Sequence, residues 1–435
     1  MAIGYREYLS VALPFVVSTL TQPLLGAVDT AVVGRLGDAS YIGGVAIGTV
    51  IFNTLYWLFG FLRVGTSGFS AQSLGAGVAK EQYFAYFRPA SVALLIGLVF
   101  LVLQKPILSG AFWIYQPKEA VITSAQTYFE ILIWGAPLVL LGYVNLGWIM
   151  GQRLIKETLW LQISTNLINI ALDVIFVFVF EWGVAGVAYA TLIAQSYAFA
   201  LGLWLIGQRI PLKDLLVYGE ELWDRESLRR LMSVNLDLMI RTICLLTMTN
   251  IFVAQGSRFG TEVLAANAIL FQIQYLFSYF FDGVANASSV FAGRALGAKN
   301  VKDYDEVVKI SNQAIGVLSL FLAFLILVGG ELMIAFFTEL SDVREIASAH
   351  KLWLAIFPFV GGIGLVYYGI FTGATFTRPV RNSMIGALAC FGVAYSLAVP
   401  LWGNHGLWLA FIVFSFCRSL FLYGAHRELR MRCLR

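Results

Sequence analysis

The chain has 435 residues, of which 59% are hydrophobic and only 12% charged, with a formal net charge of +4 and a mean hydropathy of +0.79. Soluble domains carry roughly 25% charged residues. The composition therefore excludes a soluble globular domain and reads as a polytopic membrane protein.

Apolar runs of about 20 residues, the length that crosses about 30 Å of hydrocarbon, recur from end to end. Twelve spans are predicted in chain order, at residues 11–33, 42–67, 89–108, 121–150, 159–180, 184–206, 231–255, 263–290, 310–337, 346–373, 383–401 and 407–423. The opening stretch MAIGYREYLSVALPF enters the first span without a small-residue cleavage site, so it is read as mature chain and not as a cleaved leader. Cys244, Cys390, Cys417 and Cys433 show no CxxC spacing and no partner histidine, which makes them packing residues.

The loops alternate in charge. Lys80 and Arg88, Arg153 and Lys156, the basic group from Arg209 to Arg230, the group from Arg294 to Lys309, Arg378 and Arg381, and the tail Arg427, Arg430, Arg432 and Arg435 all fall on one side. The other side holds little more than Arg35, Lys118, Arg258, Arg344 and Lys351. By the positive-inside rule both termini are cytoplasmic, which fits an even number of spans, and the basic tail is a topology signal and not a nucleic-acid site.

The spans fall into two halves. GRLG (34–37) before the second span is matched by SRFG (257–260) before the eighth, Gly60 by Gly283, LGAG at Leu74 by LGAK at Leu296, and WGVAG (182–186) before the sixth span by WGNHG (402–406) before the twelfth. Landmarks in one order, at a nearly constant offset and on the same side of the membrane, indicate a duplication of six spans in parallel orientation. The expected fold is all-α: a first lobe at 1–207, a cytoplasmic linker at 208–230 able to carry a short amphipathic surface helix, and a second lobe with its tail at 231–435.

Overlaying the halves puts Asp29 opposite Phe252 and Asp173 opposite Val393, so the two deepest carboxylates belong to the first lobe alone. A retained intramembrane acid is a functional-site hypothesis by default. Asn166, Asn169 and Asp173 are spaced three and four apart and share one face of the fifth helix, and Gln22 lies two turns before Asp29 on the first. Interhelical hydrogen bonding alone can account for the asparagines; a carboxylate on the same stripe favours function. Thr191 offers a hydroxyl one turn into the sixth span, although a helical threonine more often bonds its own backbone. Asp237 and Arg241, four apart, are expected to form a neutralising ion pair. Arg63 and Asp282 face a polar interior without an assigned role, and His350, His405 and His426 lie near loops or ends.

No HExxH, G-x-S-x-G, P-loop or His/Cys metal cluster is present. What remains is passage of a solute across the membrane, not an enzymatic reaction.

VDTAVVGRLG after the first span, FLRVGTSGFSAQSLGAG ending the second, NIALDVIF in the fifth, GVAGVAYAT entering the sixth and GNHGLWLAF entering the twelfth resemble the multidrug and toxic compound extrusion (MATE) family, above all its DinF branch. In that family twelve helices form two six-helix lobes in a V around a cavity that opens alternately to either side. The resemblance implies secondary active, proton-coupled antiport of organic, often cationic compounds by a multi-pass protein of the bacterial inner membrane. It further implies a monomer that handles small-molecule substrates within the lipid bilayer, with no nucleic acid, no metal and no cofactor beyond the proton gradient, sodium being the alternative coupling ion. By the same resemblance Asp29 is the family's essential first-helix acid, Asn169, Asp173 and Thr191 match its first-lobe proton or cation cluster, and Gln22 matches a cavity-lining position; Asn166, on the polar stripe of the fifth helix, is expected to line the substrate cavity with it.

There are departures. DinF-like chains carry an acid before the glycine of GIFTGAT, where this sequence has Tyr368, and another late in the eighth helix, near Ser289. Their loss argues against a sodium site in the second lobe and for proton coupling through the first. Flipping of a lipid-linked precursor is the rival reading and calls for several cavity-facing cations, for which Arg63 and Arg241 are the chief candidates. Desolvation disfavours an ionised carboxylate and a second acid adds repulsion, so Asp29 and Asp173 are expected to titrate as a coupled pair. A proton that competes with a cationic substrate for that pair supplies the negative linkage antiport needs, and aromatic residues, 15% of the chain, offer stacking and cation-π surfaces.

Overall fold

The computed structural model describes residues 4–34, 39–115, 119–210 and 221–433. Its helices are α1 (Tyr5–Gly34), α2 (Ala39–Leu58), α3 (Phe61–Ala76), α4 (Ala79–Val102), α5 (Gln104–Tyr115), α6 (Glu119–Leu132), α7 (Ala136–Gly151), α8 (Ile155–Val174), α9 (Gly183–Gly207), α10 (Arg225–Arg258), α11 (Thr261–Gly297), α12 (Val301–Phe337), α13 (Ser341–Gly373) and α14 (Arg378–Cys433). Helix is the form such apolar runs must take, because inside lipid every backbone polar group has to be satisfied within its own segment.

Ten stretches among the described residues are long and apolar enough to cross a membrane. α2 and α3 form one of them, Gly43–Ala76, and α6 and α7 join through a 3-10 turn into another, Val121–Gly151. The last, Arg378–Arg432, is broken at Gly403 (φ 54°, ψ −125°) and so provides two passes. With α1, 30 residues long, the spans expected from the sequence are accounted for. The third begins earlier than its apolar run: Pro89, expected at its start, sits inside α4, and α5 is an additional short helix.

The repeat recurs as backbone geometry. Gly183 and Gly403, the first glycines of WGVAG and WGNHG, share a φ of 54°, and Gly77 and Lys299, the last residues of LGAG and LGAK, both close a helix in the left-handed region at φ 67° and 51°. Glycines four apart seat one helix on another in each half. A Cβ on Gly147 or Gly151 of α7 would collide with the carbonyl of Arg63 or Ser67 on α3, and one on Gly369 or Gly373 of α13 with that of Ala285 or Ser289 on α11. In lipid, where apolar burial gives helices no reason to associate, such close backbone contact is a main source of cohesion.

The chain forms two compact units, Thr21–Met232, and Ser233–Arg435 together with Met1–Leu20. The division therefore runs through α1, whereas the sequence repeat keeps that helix whole in the first lobe. Its early turns are fixed to the second unit: the Tyr8 hydroxyl lies 2.6 Å from Ser288 Oγ, Thr19 Oγ1 donates to the Tyr279 carbonyl at 2.9 Å, and Val16 fills the space over Gly283. Of the linker, residues 211–220 lie outside the described residues, and with them most of the expected surface helix. Beyond it Asp224 caps α10 by accepting the Ser227 N–H at 2.9 Å, which holds its carboxyl below the usual carboxylate range.

The glycine contacts make a test. Gly373→Ala should destabilise the protein by about 1–3 kcal/mol, as overpacking does, lowering its thermal midpoint in detergent, while Gly316→Ala, with open space around it, should leave the midpoint in place.

Candidate functional site

The fifth span carries a polar stripe on one face and an apolar one on the other. Trp160, Leu167 and Val174 of α8 are exposed, as side chains that meet lipid should be, while Asp173 is completely buried and Asn169 nearly so. The stripe thus points inward, as the three-and-four spacing requires. Asn169 Nδ2 donates to Asp173 Oδ2 at 2.5 Å. Asn166 is half-buried one turn before.

Directly after Asp173 the helix widens into a π-helical segment, Ile175–Val179. Such distortions recur at functional sites, and this one winds extra residues into the first-half helix. Val393, placed opposite Asp173, is 62% exposed. Phe252, placed opposite Asp29, is completely buried in an aromatic cluster with Phe271, Trp408 and Phe411. The second half has hydrocarbon where the first has acid.

Thr191 Oγ1 donates to the Val187 carbonyl of its own helix at 3.1 Å and is not part of the hydrogen-bonded Asn169–Asp173 pair. α9 is tied to α8 through Tyr197, whose hydroxyl donates to Ser164 Oγ at 3.1 Å. The side chains of Gln22 and Asp29 lie outside the described residues; their turns of α1 belong to the same unit as Asp173. Among the described residues no three His, Cys, Asp or Glu gather as a metal site.

The second unit corrects one expected pair. Asp237 does not engage Arg241: its Oδ1 accepts Arg381 Nη1 at 2.8 Å and its Oδ2 accepts Thr377 Oγ1 at 2.8 Å. Arg241 lies instead over the Tyr368 ring, 4.1 Å from its centroid. Helical spacing shows which residues can reach each other within one helix but says nothing of a rival arriving from α14. Sequence reasoning also missed Arg418, buried in the second half of α14; its one signal was a charge inside an otherwise apolar run. His350, expected near a helix end, is buried and stacked on His405 with ring centroids 4.0 Å apart.

The family model for MatE matches residues 14–175 and again 238–399, once in each half of the repeat. The chain belongs to this family of multi-pass membrane transporters. It is 35% identical over 420 residues to the DNA damage-inducible protein F of Escherichia coli (strain K12), covering 96% of this chain and 91% of that one. A probable multidrug resistance protein NorM of Xylella fastidiosa (strain 9a5c) is 25% identical over 437 residues, covering 94% and 88%. A crystal structure of MATE in the bent conformation shares the fold with a TM-score of 0.88 at 20% identity, covering 98% of this chain and 96% of that one.

A double-mutant cycle checks the corrected ion pair. Asp237→Ala and Arg381→Ala should couple by roughly 0.5–3 kcal/mol in stability, whereas Asp237→Ala and Arg241→Ala should be close to additive.

Proposed function

We propose that the protein is a proton-coupled antiporter that exports organic, often cationic compounds by alternating access across the bacterial plasma membrane, with both termini in the cytoplasm. The observation that carries this reading is the Asp173 carboxylate, completely buried and held by the Asn169 amide on an apolar span of a MatE family member. A carboxylate in that setting either binds a proton and is neutral, or is ionised and needs a cation, since water is not there to solvate it. Proton and cationic substrate then exclude one another, and loading one expels the other.

In this reading Asp29 is the partner acid on α1, and Gln22 and Asn166 line the substrate path. The name of the Xylella relative, a probable multidrug resistance protein, supports an organic substrate. Tyr368 speaks against a sodium site in the second unit: where an acid would hold the ion, an aromatic ring lies under the Arg241 guanidinium.

Purified protein in proteoliposomes, given an imposed proton or sodium gradient and rhodamine 6G as the transported cation, tests the proposal. The proton gradient should drive uptake and the sodium gradient should not, and Asp29→Asn should abolish coupled transport in a folded protein. Coupled transport at the wild-type rate in Asp29→Asn contradicts the assignment. Ser289→Ala should keep the proton dependence of the wild type.

Asp173→Asn gives a signed prediction. Removing the neighbouring charge relieves the repulsion that favours a protonated Asp29, so loading the proton takes more acid and the pH profile of antiport should shift to lower pH. An unshifted profile at full rate makes Asp173 a structural group only.

A further inference from the structure

Arg418 lies within the last span, in the run LWLAFIVFSFCRSLFLY, and is 6% exposed. A guanidinium offers five N–H donors. Among the described residues this one makes a single long hydrogen bond, from Nη2 to the Gly361 carbonyl at 3.5 Å, and Nε has no partner. The room it occupies is built by glycine, since a Cβ on Gly364 would come within 2.9 Å of Nε. Ser419 holds that room open: its Oγ accepts the Gly364 N–H at 2.8 Å and donates to the Val360 carbonyl, so α13 and α14 are pinned at the level of the guanidinium.

A second cation belongs to the same place. Arg241, released by the pairing of Asp237 with Arg381, rests on the Tyr368 ring at 4.1 Å. Arg241 and the Asp282 carboxylate are the charged groups that act on Arg418. Two guanidiniums and one carboxylate leave the cluster with an excess of positive charge, and neither arginine forms a salt bridge among the described residues. Burying two arginines with a single carboxylate between them is costly, and a leucine or methionine in place of Arg418 would fill the same volume without that cost. The cluster has no equivalent in the first unit, where the register that pairs Gly183 with Gly403 sets Ala198 opposite Arg418.

We propose that this cluster of the second unit is an anion subsite, which takes a carboxylate or phosphate group through the Nε and Nη donors of Arg418, with Arg241 as the second countercharge. Guanidinium suits that task because its fork meets two oxygens at once. Two sources present this chemistry, a soluble organic anion and the headgroup of an anionic lipid. The proposal rests on the transporter reading only in supposing that molecules reach the interior of this unit; it is independent of proton coupling and is tested without a gradient.

The experiment uses the full chain in nanodiscs of phosphatidylcholine, titrated with carboxyfluorescein and followed by fluorescence anisotropy, with rhodamine 6G as the cationic control. Wild-type protein should bind carboxyfluorescein, Arg418→Gln and Arg241→Gln should each weaken binding about tenfold or more, and Arg418→Lys, which keeps the charge but loses the fork, should fall between. Rhodamine 6G should bind Arg418→Gln as it binds the wild type, which also shows that variant to be folded. Mixing phosphatidylglycerol into the disc separates the sources: competition that appears in the wild type and vanishes in Arg418→Gln assigns the subsite to a headgroup, and its absence assigns it to a soluble anion. No carboxyfluorescein binding by the wild type, or binding that both arginine variants retain, overturns the proposal. Failure of proton-driven rhodamine uptake with anion binding intact would count against the coupling scheme alone.

Discussion

An ionised side chain inside hydrocarbon has no water to spread its field into, so it must be met by a proton, a fixed partner or a ligand. This constraint sorts the charged residues of the interior. Asp237 is met by a fixed partner, Arg381, and reads as architecture. Asp173 accepts a hydrogen bond from the neutral Asn169 amide, and Arg418 makes a long bond to a backbone carbonyl. Those two are the residues on which the functional readings rest, and they have opposite sign and belong to different units.

The scaffold that holds them is a duplicated one. Glycines at Gly147 and Gly151 and again at Gly369 and Gly373 bring a helix backbone onto its neighbour, and the turn glycines Gly183 and Gly403 repeat the same left-handed backbone. Since lipid supplies no hydrophobic drive between helices, such close contacts are a main source of cohesion in both halves. The aromatic cluster around Phe252 and the acid at Asp29 stand at matching places in the two halves, and so do Ala198 and Arg418. The duplicated frame thus carries different side chains at matching places in its two halves.

Much of this was legible in the sequence because it depends on period and length. Spans follow from apolar runs, the repeat from glycine turns, and the inward direction of Asn169 and Asp173 from spacing along a helix. What escaped depends on contacts between distant parts of the chain. Nothing local to Asp237 shows that Arg381 will take it from Arg241, and nothing local to Arg418 shows that Gly364 on another helix makes room for it. The π-helical segment after Asp173 comes from a run of valine and phenylalanine that reads equally well as plain helix. The division of α1 between the units follows from the bonds of Tyr8 and Thr19, whose partners lie more than half the chain away.

The central claim is that proton and substrate compete for the acids of the first unit, and the most direct measurement of it is proton release on binding. Rhodamine 6G added to the purified protein in weakly buffered detergent solution should release protons in proportion to the sites filled, measured with a pH-sensitive dye. The account predicts release by the wild type and none by the Asp29→Asn/Asp173→Asn double variant. Binding without release by the wild type, or undiminished release by the double variant, would contradict it.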